Sequence, residues 1–151
     1  MKRLVGVLLV VVLMSSCGIG EPKMDYPGFL SLLSDNGIQY TEAPAEDSFL
    51  SVPRRPVTIG DETIGVYEYK NNKLMEFDAG YIDPKAECVT LPEKTSCLTW
   101  ISYPYFFKQG RIIVNYDGEN QVLIDLFTQT FGESFAGFGP DDADQGLVIG
   151  D

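Results

Sequence analysis

The apolar positions between Asp25 and Gly132 change their period several times, and each change marks an element. Tyr26, Leu30 and Leu33, with Phe29 beside them, recur at the spacing of one helix face. Asp25 is placed to cap that helix, Pro27 is tolerated in its first turn, and Gly37 suits the left-handed residue that ends it. Ile38, Tyr40 and Glu42 predict a short strand, followed by a polar loop over Ala43 to Asp47. Val57-Thr58-Ile59 and the run Thr63 to Tyr69 flank Gly60-Asp61-Glu62 and predict a hairpin, while Pro53 and Pro56 confine the segment before it to an edge or a loop. Leu74, Phe77, Asp78 and Tyr81 return to helical spacing and predict a second helix over 71–82, against the cost of Gly80. A loop is expected from Asp83 to Ser96.

Two β-rich runs follow, Cys97 to Ser102 and Arg111 to Tyr116, joined by the aromatic stretch Tyr103 to Gly110, and they predict a second hairpin. After Asp117-Gly118, the positions Val122, Leu123, Leu126, Phe127 and Phe131 mark a third helix closed by Gly132. This order predicts a single α+β domain over 25–135, a mostly antiparallel sheet with about three helices packed on one face. From Ala136 to Asp151, Gly, Pro and Asp dominate, and an acidic disordered tail is expected there.

Ahead of the domain, Lys2 and Arg3 precede the apolar run Leu4 to Met14 and the small residues Ser15-Ser16. The run is shorter than the roughly 20 residues that a membrane-spanning helix needs, so residues 1–16 are expected to be a cleaved signal peptide. Leu13-Met14-Ser15-Ser16-Cys17 resembles the lipobox of bacterial lipoproteins, with Met14 where that family usually has Leu, Val or Ala. The resemblance implies that Cys17 receives a diacylglyceryl group and becomes the first mature residue. An ordinary secretory signal would favour an A-x-A-like site, which is not present. Two or three acyl chains, at about 0.8 kcal/mol per buried methylene, make such an attachment durable. Residues 17–24 would then be lipidated cysteine and tether, and the seven residues Gly18 to Met24 reach at most about 25 Å. The expected location is the bacterial cell envelope on the extracytoplasmic side. Gly18 in place of an aspartate favours the outer membrane of a two-membrane cell, and in a single-membrane cell the site is the outer face of the cell membrane.

Removing residues 1–16 takes away two cations and no acid, leaving 9 basic and 22 acidic side chains, a balance of −13 where the whole chain carries −11. Nucleic acid is therefore excluded as a partner, since phosphate backbones are bound by clustered Lys and Arg. With Cys17 assigned to the lipid, Cys88 and Cys97 are the only remaining pair, and in an oxidising compartment a disulfide is the natural reading. Two separate thiols or a zinc site are the alternatives. The zinc site lacks partners, because the chain has no histidine and no further free cysteine.

The absence of histidine also removes Ser/His and Cys/His nucleophile systems, and Asp117 with Glu119 would need a long cleft to act as a glycosidase pair, so no enzyme is expected. Asp141, Asp142 and Asp144 before Gly146 miss the register of a calcium loop, with Ala143 and Gln145 where acids are wanted. Neither a metal nor a cofactor is expected.

The run Trp100 to Val114, then Phe131-Gly132-Glu133-Ser134-Phe135-Ala136-Gly137, resembles a group of small uncharacterised bacterial lipoproteins with the pattern W-x-x-x-P-H-F-Y-K-x-G-R-x-I-V and a closing G-x-x-F-A-G. Their V-Y-E-Y is matched by Val66-Tyr67-Glu68-Tyr69, and Tyr105 stands where the pattern often has histidine. The resemblance implies fold and location, with no activity attached. On the residues themselves, Trp100, Tyr103, Tyr105, Phe106 and Phe107 either finish the core or, with Lys108 and Arg111, expose an aromatic patch of the kind that forms protein-binding hot spots. The functional expectation is a lipid-anchored binding protein whose partner is an envelope or surface protein, met by Trp100, Tyr103, Tyr105, Phe106, Lys108 and Arg111. The alternative is a lipoprotein that binds a small molecule or cation in a pocket between helices and sheet.

Overall fold

A computed structural model describes residues 24–140. The expected signal peptide over 1–16, Cys17 and the expected tether up to 23, and the acidic residues from 141 onward lie outside the described residues. Elements follow in the order α1 Tyr26–Asp35, β1 Thr41–Glu42, β2 Arg54–Ile59, β3 Glu62–Glu68, α2 Asn72–Ala79, β4 Cys88–Leu91, β5 Lys94–Cys97, β6 Pro104–Gln109, β7 Ile112–Asp117, α3 Gln121–Phe131 and β8 Ala136–Gly137. A six-stranded antiparallel sheet runs β1-β2-β3-β7-β6-β8, and β4 and β5 form a separate two-stranded sheet. The class is α+β, as the periodicity predicts.

Each helix begins at a side-chain cap. Asp25 accepts from the Gly28 amide at 2.9 Å, Asn71 from Leu74 at 3.0 Å and Asn120 from Val122 at 3.1 Å, so each relieves one of the orphaned amides of a first turn.

The central strand β7 is buried on both faces, and alternation deals its side chains to two separate cores. Ile112, Val114 and Tyr116 join Val57, Ile64, Val66 and Phe107 under Tyr26, Phe29 and Leu33 of α1 and Leu123 and Phe127 of α3. Ile113 joins Tyr67, Tyr69 and Phe106 under Met75 and Ala79 of α2, with Val89 and Leu91 of the small sheet. The helices therefore do not share one face. The sequence pattern missed this because strands buried on both sides read as continuous apolar runs, which carry no sign of which face a helix covers.

The second hairpin sits further along the chain than its β propensity suggests. Pro104 to Gln109, expected as the connection, is itself a strand paired with β7, and Gly110-Arg111 make the turn. Gly110 has φ +61°, and a side chain there would collide with the backbone of Met24, whose carbonyl accepts from the Arg111 amide at 2.9 Å. The expected strand Cys97 to Ser102 divides into the end of β5 and an irregular linker with a bend at Ile101-Ser102. Within the predicted loop Asp83 to Ser96, β4 and β5 pair in register, and Cys88 and Cys97 face each other as a cross-strand disulfide with Cα atoms 4.1 Å apart. Ala136, the expected start of the tail, instead opens β8. Its strand adds to β6, and the Gly137 amide donates to Pro84 O at 2.9 Å, so the fold runs past the expected boundary at 135.

Candidate functional site

The second helix has its apolar stripe turned the unexpected way. Met75, Asp78 and Ala79 face the sheet, while Leu74, Phe77 and Tyr81 face outward at 47%, 53% and 36% exposure. Phe77 and Tyr81 touch edge to face with ring centroids 5.0 Å apart. The inversion follows from what lies beneath. Asp78 is 2% exposed, and its Oδ2 accepts from the Ser51 amide at 2.8 Å, the Ser51 hydroxyl at 2.7 Å and the Tyr69 hydroxyl at 2.9 Å. A carboxylate so buried needs such donors to offset its desolvation, and only this rotation of the helix supplies them. Burial, and then the Asp78 charge, raise the pKa of Tyr69 far above the usual phenol range, so its hydroxyl remains a donor.

Beside this network a cleft of about 490 Å³ opens between α2 and the β4–β5 hairpin, within the range of ordinary ligand sites. Leu50, Phe77, Leu91 and Pro92 give it apolar walls, and Ser51, Asp78, Glu93 and Lys94 its polar groups. Lys94 Nζ is held by the carbonyls of Ser48 at 2.8 Å and Leu50 at 3.3 Å, which also ties the hairpin to the loop before β2. The disulfide pins the hairpin that forms this wall.

The residues expected to form an exposed aromatic patch are dispersed instead. Phe106 is fully buried, packed by Phe49, Trp100 and Phe135. Trp100 is half-buried on the same core and donates from Nε1 to Ala86 O at 2.8 Å. Tyr105 points to the opposite face, stacked on Phe107 and Tyr116, and Tyr103 meets Phe138 edge to face. Lys108 pairs with Glu76 and lies over the Phe135 ring, and Arg111 pairs with Glu68 at 2.9 Å and Asp25 at 3.5 Å. The correction has a simple cause: alternation along a strand sends Tyr105 and Phe106 to opposite sides, so adjacent aromatics cannot build one surface.

Asp117 and Glu119 likewise serve the fold. Asp117 accepts from the amides of Ile101 and Ser102 at 3.0 and 2.9 Å, and Glu119 accepts from the Ser102 hydroxyl at 3.0 Å. Among the described residues no group of three His, Cys, Asp or Glu side chains is placed to hold a metal ion, and no helix is long and apolar enough to cross a membrane.

The sequence carries one signal of the cleft: Asp78 interrupts an otherwise apolar helical stripe, which marks either a bend in the face or a buried acid with dedicated donors. Leu50, Ser51 and Leu91 gave no such signal, because they meet α2 only through the tertiary fold. No protein-family model matches the chain, and neither a curated protein nor a solved structure matches it significantly.

Proposed function

We propose that this chain is a lipid-anchored extracytoplasmic binding protein that receives an apolar, basic segment of an envelope protein along the outer face of α2 and the adjoining cleft. The observation that carries the reading is the outward apolar stripe Leu74, Phe77 and Tyr81 bordering a cleft lined by a buried acid. A monomer gains nothing by holding these side chains in water, and clustered apolar exposure beside a polar rim is characteristic of contact sites. The occupant's charge follows from complementarity with the −13 balance of the mature chain. The anchor rests on the lipobox-like segment ending at Cys17, and the resemblance to small bacterial lipoproteins agrees with that location.

Photo-cross-linking in native membranes tests both parts. A benzophenone side chain at position 77 is expected to give an adduct whose cross-linked peptide carries a basic residue among apolar neighbours. The same probe at Val122, exposed on α3 across the sheet, is expected to give none. Adducts from 122 but not 77 would overturn the contact surface. Unchanged membrane retention of Cys17→Ser would overturn the anchor.

A further inference from the structure

The cleft beside α2 has a more specific chemistry than apolar contact. All three donors to Asp78 land on Oδ2, and Oδ1 is outside that set. The two oxygens of a carboxylate divide its charge and each has lone pairs of its own, so Oδ1 retains its capacity to accept. The cation in the cleft lining, Lys94, is directed to the carbonyls of Ser48 and Leu50. No ion pair involving Asp78 forms among the described residues. Glu93 adds a second acid to the lining, and Leu50, Phe77, Leu91 and Pro92 supply walls suited to an aliphatic stem.

We infer that this cleft is a binding site for a primary alkylammonium group, supplied by a lysine side chain of the segment that covers α2; the source of the group rests on the proposed function above. Lysine is preferred over arginine for a geometric reason. A guanidinium binds a carboxylate best through both oxygens at once, and Oδ2 is already occupied by three donors. A compact ammonium needs a single oxygen, and its four-carbon stem lies along apolar walls while the head reaches the acid. Phe77 lines the same cleft, and an aromatic ring beside an ammonium group adds a cation–π attraction.

The test is a titration of the full lipidated chain in nanodiscs with n-butylammonium, n-butanol and n-butylguanidinium, read at the Ser51 amide, whose hydrogen donates to Asp78. Butylammonium is expected to shift that resonance saturably and to bind at least tenfold more tightly than butanol and severalfold more tightly than butylguanidinium. Phe77→Ala, at an exposed position, is expected to fold normally and weaken butylammonium binding a few fold. Asp78→Asn is expected to abolish the preference for ammonium over alcohol. Should Asp78→Asn fail to fold, the three-ligand comparison and Phe77→Ala decide alone. Equal binding of butanol and butylammonium, tighter binding of butylguanidinium, or no saturable shift at tens of millimolar would overturn the inference. Butylammonium binding without any adduct from position 77 would leave the ammonium site standing and overturn the protein-segment reading.

Discussion

The two faces of the central sheet are assembled from the same strands and closed by different means. Over one face, α1 and α3 lay Phe29, Leu33, Leu123 and Phe127 onto Phe107, Val114 and Tyr116, and Phe127 alone touches the rings of Phe29, Phe107, Tyr116 and Phe131. Over the other, α2 and the β4–β5 hairpin cover Tyr67, Tyr69 and Phe106 with an acid buried between them, and Asn115 Nδ2 is sealed without a hydrogen-bond partner among the described residues. Val122 on α3 apart, the first face turns its apolar residues inward, whereas the second holds polar groups inside and apolar groups outside. A face so arranged forgoes stability that its sequence could have provided, and such local concessions concentrate where a surface has another task.

The comparison sharpens under substitution. Phe127→Ala should be the most damaging change, at about 3–5 kcal/mol, because an aromatic hub leaves a cavity that rigid neighbours cannot fill. Urea denaturation checks it, and a loss below about 1 kcal/mol would contradict the account of the sealed face. Asp78→Ala comes next, at about 3 kcal/mol, since it strands the buried Tyr69 hydroxyl and the Ser51 donors. The double variant with Tyr69→Phe should lose less than the two separate losses added together, which a double-mutant cycle reads directly. Cys97→Ser removes the closure of a loop of about ten residues and should cost about 2–3 kcal/mol. Hydrogen exchange should show the opening confined to β4, β5 and the cleft wall.

Alkaline pH acts on both faces. Burial, then the hydrogen bond to Glu42, pushes Tyr26 from its ordinary 10.0 up to about 12. Burial raises Tyr116 on the same face and Tyr67 and Tyr69 on the other. A phenol whose folded pKa lies above its unfolded value contributes stability that is complete below about pH 10 and lost as pH rises through the folded value. Stability should thus not vary with these groups through neutral pH and should decline as pH rises above about 10, with Tyr26, Tyr67, Tyr69 and Tyr116 titrating late by ultraviolet absorbance. The smallest expected effect is Phe77→Ala, within about 0.5 kcal/mol, as befits an exposed side chain.

Much of the first face was legible in the chain. The spacing of Tyr26, Leu30 and Leu33, the cap Asp25, and the run Leu123 to Phe131 report local periods that tertiary structure did not override. The other face was less so. The outward rotation of α2 depends on Ser51 and Tyr69 reaching Asp78 across 27 and 9 residues, and no local pattern encodes those contacts. The aromatic run at Tyr103 to Phe107 misled for a related reason: continuous aromatic character suits a strand packed on both sides as well as an exposed patch, and only the register with β7 separates the two. The disulfide was readable because cysteine arithmetic left one pair, although its place in a hairpin was not.

The most direct test of the outward face of α2 as a contact surface is the double variant Phe77→Ser/Tyr81→Ser, measured for thermal midpoint and for partner cross-linking in native membranes from a benzophenone side chain at exposed position 74. The account predicts a midpoint within about 2 °C of the parent together with loss of the adduct. A midpoint lowered by 10 °C or more would show the stripe to be part of the core and contradict it.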